Sequence, residues 1–179
     1  MENPVDLNGF VLAMTESAYA QVKAACDGLT DEQFFCQPTP ETNSIAWLIW
    51  HMSRARDLIT SNISGENQVW ISNGWADRFG LDAEDVGIGD SPEKVAAFHA
   101  GRSLVMGYLD DAHEATMRRL SLIPSEQFDQ LVVYALGDTR PVWRALVGMP
   151  GDSTQHTGQI AYLRGMFTGM GWRRRAGWA

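Results

Sequence analysis

The chain has 179 residues, 45% of them apolar and 20% charged, and its 14 basic and 22 acidic side chains leave a formal charge of −8. That is the make-up of one ordinary globular domain, long enough to bury a core without a disulfide or a structural metal. The acidity argues against a nucleic-acid binder, which needs a cationic face to displace phosphate counterions, and against a polybasic membrane anchor.

The N-terminal Met1-Glu2-Asn3-Pro4 shows neither a basic nor an apolar leader region, so no secretory signal is expected and a cytoplasmic location is. A first helix is predicted from about Asp6 to Ala25, where Leu7, Phe10, Val11, Met14, Ala18, Val22 and Ala25 recur at three- and four-residue steps. Cys26 and Cys36 show no C-x-x-C spacing and read as reduced, packing thiols. Thr30-Asp31-Glu32-Gln33 has the form of a capping box opening a short helical turn, which Pro38 and Pro40 end. A second helix is predicted from Asn43 or Ser44 to Ile63, its first half apolar nearly all round and so deeply buried. Its densest run, Ile45 to Trp50, is far short of the roughly 20 residues that cross a bilayer.

Residues 64–90 hold five glycines, several acids, Trp70 and Trp75. They read as a long connection containing a short helix, and connections of this length often carry function. The two tryptophans either close a pocket or cap the core. Ser91-Pro92-Glu93 is a cap followed by proline at the first helical position, and opens a third helix that runs to just before Pro124. A fourth helical stretch starts at Pro141, is kinked or broken at Pro150-Gly151, and resumes from about Asp152 to Met170. No strand pattern is visible. The expected architecture is all-α: a four-helix bundle with one long crossover, a single domain over residues 1–172 and a basic, solvated tail over 173–179 that includes Arg173, Arg174 and Arg175.

Three polar residues fall on core stripes. His51 lies three after Leu48 and four before Ala55. His156 lies four before Ile160. Asp152 is one turn before His156, so both project from one face. A buried carboxylate is costly unless paired or bound to metal. Two imidazoles and a carboxylate suit zinc with one position open, and also suit iron, nickel or manganese. The other reading of the same pattern is a buried ion pair of Asp152 with His156 or His51. His99 and His113 sit on the shoulder of the third helix, about 21 Å apart along its axis, and cannot share an ion. By helical phase, Trp47, Arg54, Gln159 and Arg164 are candidate substrate-binding residues. Either arginine could hold a substrate carboxylate or form a structural salt bridge.

Ile45-Ala46-Trp47-Leu48-Ile49-Trp50-His51-Met52 and His156-Thr157-Gly158-Gln159-Ile160-Ala161-Tyr162-Leu163-Arg164 resemble the second- and fourth-helix motifs of the DinB-like superfamily, and the match extends over most of residues 5–172. The resemblance implies a four-helix bundle of up-down-down-up connectivity, often a homodimer. It also implies a divalent metal, zinc or nickel before iron or manganese, on three residues that match His51, Asp152 and His156. Many members carry histidine where this chain has Asp152. A carboxylate there is similar to the branch of mycothiol-dependent maleylpyruvate isomerases, although no second domain of the kind some of those carry is visible. The better understood members imply a low-molecular-weight-thiol-dependent transferase or isomerase acting on a small electrophile. A non-enzymatic dimeric bundle with a structural metal or a buried His–Asp pair is the alternative.

Overall fold

The computed structural model describes residues 6–135 and 137–172. The predicted basic tail at 173–179 lies outside them. Helix α1 spans Leu7–Cys26, capped by the Asp6 carboxylate, which accepts from the Gly9 N–H at 2.7 Å. The capping box at Thr30 opens α2, Asp31–Phe35. Helix α3 spans Ile45–Ser64 between the Ser44 hydroxyl cap and Gly65, whose positive φ of 73° ends it in the left-handed region. Two short helices, α4 (Val69–Ser72) and α5 (Trp75–Phe79), lie in the long connection where one was expected.

The predicted third helix is two helices, α6 (Pro92–Ala96) and α7 (Arg102–Ser121). The break lets Phe98 turn inward against Trp50 and Phe79, and Gly101 starts α7 afresh. The expected break at Pro150 does not occur: α8 runs unbroken over Val142–Thr168 with the proline inside it. Proline in a helix interior costs about 3 kcal/mol. Burial of Val142, Ala145, Leu146 and Met149 before it, and of Ile160 and Leu163 after it, offsets that. A small antiparallel hairpin also corrects the expectation of no strand: β1 (Leu131–Ala135) pairs with β2 (Asp138–Pro141). Five residues are too few for alternation to declare itself in the sequence.

The long helices form the predicted four-helix bundle with a long crossover. Helices α1 and α3 occupy opposite corners, each flanked by α7 and α8. The core falls into two apolar clusters. One gathers Val22, Trp50, Trp70, Tyr108, Leu109 and Ile160. The other gathers Val11, Ile59, Leu120, Val142, Leu146 and Met149. Between them each helix contributes buried polar residues: Thr15 from α1, Arg56 and Asp57 from α3, Thr116 and Arg119 from α7, Ser153 and Thr157 from α8. No helix among the described residues is long and apolar enough to cross a membrane.

Candidate metal centre

The polar level that separates the two clusters carries the three predicted ligands. His51 and Asp152–His156 meet where α3 faces α8. One donor atom from each of the three lies within 4.8 Å of the other two. The His51 and His156 rings are 5.0 Å apart in a T-shaped pair, and His156 Nε2 stands 3.3 Å from Asp152 Oδ1. His51 is buried, whereas the other two side chains are partly open, Asp152 at 36% and His156 at 12%.

Both imidazoles are oriented from behind. His51 Nδ1–H donates to the Val86 carbonyl at 2.5 Å, and His156 Nδ1–H donates to Gln159 Oε1 at 2.7 Å. Since a carbonyl oxygen can only accept, each contact places the proton on Nδ1 and leaves the Nε2 lone pair for the centre. Metal-binding histidines are held in this way. The donor set therefore fits a divalent ion: two imidazoles that each turn Nε2 to the centre, one carboxylate, and a side left open.

Local charge holds His51 neutral and favours a proton on His156 Nε2, which a divalent ion would have to displace. Burial lowers the His51 pKa, and the Val86 carbonyl only partly opposes that, so the ring is neutral and ready to ligate. Burial would raise the Asp152 pKa, but hydrogen bonding to His156 and the charges of His156, His51 and Arg56 outweigh it, and the carboxyl stays ionised. Burial would lower the His156 pKa, but Asp152 and Gln159 hold it above the usual value. Arg56 stands behind Asp152, wholly enclosed, its Nε–H donating to Ser153 Oγ at 2.8 Å. Burial lowers its pKa to about 10, still charged at neutral pH. Its Nη2 has no hydrogen-bond partner among the described residues.

The predicted substrate residues scatter. Trp47 stacks on His51, ring centroids 4.9 Å apart and nearly parallel, and so backs the ligand. Gln159 orients His156 and also lines a groove of about 690 Å³, with Pro38, Leu48, Gln155, Tyr162 and Met166 on its walls. Arg54 is not available to a substrate. Its Nε–H donates to the Asp85 carbonyl at 2.9 Å, its Nη2 to that of Ala83 at 3.2 Å, and its Nη1 to Gln68 at 2.8 Å, with Asp57 3.9 Å away. It is the structural arginine of the two readings. Arg164 lies two turns beyond His156 and is not brought to the triad; its charge is felt at the Cys26 thiol of α1. Trp70 and Trp75 cap the core, Trp70 packing on Trp50 and Tyr108 and Trp75 donating to Asp111 at 2.6 Å. His113 stacks on Tyr19 and bonds Glu16 at 3.0 Å, and His99 is exposed. Burial pushes the Cys26 thiol up to about 12, which leaves it inert.

Sequence reasoning missed Val86, Gly87 and Arg56. The Asp85–Asp90 stretch, with two glycines between acids, was the one visible sign that residues 83–90 approach something closely.

With this geometry in hand, the comparisons with known proteins are specific about family and silent about reaction. The family model of the DinB superfamily matches residues 14–160. A crystal structure of a conserved protein from Enterococcus faecalis shares the fold, with a TM-score of 0.77 and 24% identity over 88% of this chain and 94% of that one. No curated protein matches the chain.

Proposed function

The chain belongs to the DinB superfamily, and from that premise we propose that it is a divalent-metal-dependent enzyme that transfers a low-molecular-weight thiol to a small electrophile, or isomerises one through a thiol adduct. The observation that carries this reading is the triad itself: His51, Asp152 and His156 with both Nε2 atoms turned inward and one side open. A divalent ion held there favours the thiolate form of an incoming thiol, which is the nucleophile. Val86 and Gln159 keep the imidazole protons on the outer nitrogens. Trp47 covers one face of His51 and keeps water from it. The groove beside Gln159 is lined by apolar and amide side chains together with Glu41 and Thr42, and would seat the substrate body.

Asp152 in place of a third histidine supports the branch of mycothiol-dependent maleylpyruvate isomerases. In the same reading the protein is a cytoplasmic homodimer. Neither nucleic acid nor membrane is a partner in it. The 3.3 Å contact of His156 with Asp152 favours a second reading, a non-enzymatic bundle held by that pair.

One experiment separates them. Untagged protein analysed by mass spectrometry should carry close to one equivalent of zinc or nickel, and His156→Ala should lose it. Less than about a tenth of an equivalent, unchanged in the variant, overturns the metal reading. If metal is present, wild-type protein should consume thiol when an electrophile is added, and folded His51→Ala should not.

A further inference from the structure

The connection between α5 and α6 closes over the back of His51. Gly87 sits at a positive φ of 76°, and a Cβ there would stand 2.7 Å from Trp47 Cζ2, 2.8 Å from Trp50 Cζ3 and 3.2 Å from His51 Nδ1. A side chain here would collide with the two tryptophans and crowd the ligand ring. Just before Gly87, the Val86 carbonyl accepts from the His51 Nδ1–H.

The loop is tied down at both ends. Arg54 grips the carbonyls of Ala83 and Asp85 from below. The Asp85 carboxylate accepts from the Gly87 N–H at 3.0 Å, and Asp90 accepts from the Trp47 indole N–H at 3.3 Å. The two aspartates are nearly buried, at 10% and 7% exposure, and one cation joins them: Lys94 Nζ lies 2.8 Å from Asp85 and 2.6 Å from Asp90. Lys94 is on α6, whose Ser91 cap fixes where the side chain begins.

We infer that Lys94, by clamping Asp85 to Asp90, is a positioning residue for the metal ligand His51. It keeps the Val86 carbonyl and Gly87 against the ring and so holds the Nε2 lone pair toward the centre. Without the ammonium, the two carboxylates face each other unneutralised and the segment between them loosens. The ring then loses its acceptor, and a histidine side chain in water favours the tautomer with its proton on Nε2, the atom needed for ligation. The inference concerns a ligand of the proposed metal centre and so rests on that reading.

The test uses Lys94→Met in the metal-free, full-length chain. Nitrogen-15 NMR of the His51 ring should show the Nδ1–H tautomer in wild type and growing Nε2–H character in Lys94→Met. Zinc affinity, from competition with a chromophoric chelator, should fall roughly 10- to 100-fold, as it does when the outer partner of a metal-bound histidine is lost. The far-ultraviolet circular dichroism should not change, and Lys94→Arg should restore both readings. Gly87→Ala should weaken zinc in the same way by pushing the ring. A Lys94→Met protein with the wild-type tautomer and zinc affinity within about twofold of wild type overturns the inference. If wild-type protein takes up no zinc, the functional reading fails, and the tautomer measurement still decides whether Lys94 positions His51.

Discussion

His51 and His156 are the same residue type at one centre, yet their surroundings push them apart. Burial lowers the pKa of His51, while Asp152 and Gln159 raise that of His156 above its ordinary 6.5. A proton and a metal compete for Nε2. Acidification should therefore weaken zinc binding in two steps. The first begins above pH 6.5 as His156 takes a proton, and the second, at lower pH, comes from His51. The metal-free protein runs the other way for His156. A raised folded pKa contributes stability that is fully present below 6.5 and lost as the pH rises through the folded value. Isothermal titration with zinc across this range tests the two steps, and an NMR pH titration of the histidine rings in the metal-free protein checks the assignment: the ring that takes its proton above pH 6.5 should be the one missing from His156→Gln.

At the scale of elements, α3 does more than the other helices because it carries a ligand and the buried Arg54, Arg56 and Asp57. Its start is fixed by Ser44, a hydroxyl 3% exposed that accepts from the Trp47 N–H at 3.2 Å. Ser44→Ala should cost about 1 kcal/mol in denaturant unfolding, with an unchanged slope. This helix was legible to within a residue or two at each end because its apolar run begins right after Ser44. Helix α8 was legible at both ends and not in the middle. Pro150 is a local signal to stop, but the two apolar clusters on either side of it reward a continuous rod, and that reward is invisible along the chain. The reverse held for α6 and α7: the pattern ran on, and the aromatic contacts of Phe98 divided it.

Across the whole molecule, a polar level joins all four helices between the two apolar clusters. Asp57 is its strongest tie. The carboxylate accepts from the N–H groups of Val69 and Trp70 at 3.1 and 2.8 Å, from the Tyr108 hydroxyl at 3.2 Å and from Arg119 at 2.8 Å. It thus fastens α3 to α4 and α7 from a position with no exposure. Asp57→Ala leaves the buried Arg119 and Arg54 without it, and should destabilise the fold by about 3–5 kcal/mol in urea titration. Its effect on the metal site is indirect: where the variant folds at low temperature, it should still take up zinc. Loss of zinc from a folded Asp57→Ala protein would place the hub in the metal site after all.

The sequence by itself determined four amphipathic helices, and the phase that turns His51, Asp152 and His156 toward the interior. Helical phase is local, set by 3.6 residues per turn, and is read without knowing any neighbour. Tertiary structure alone decided what meets what. It set His51 against His156 across α3 and α8, gave Arg54 to the backbone of residues 83–85, and laid Val86 and Gly87 behind the ligand. Those outcomes depend on how helices pack and where a long connection returns, and neither is written in the spacing of any one segment.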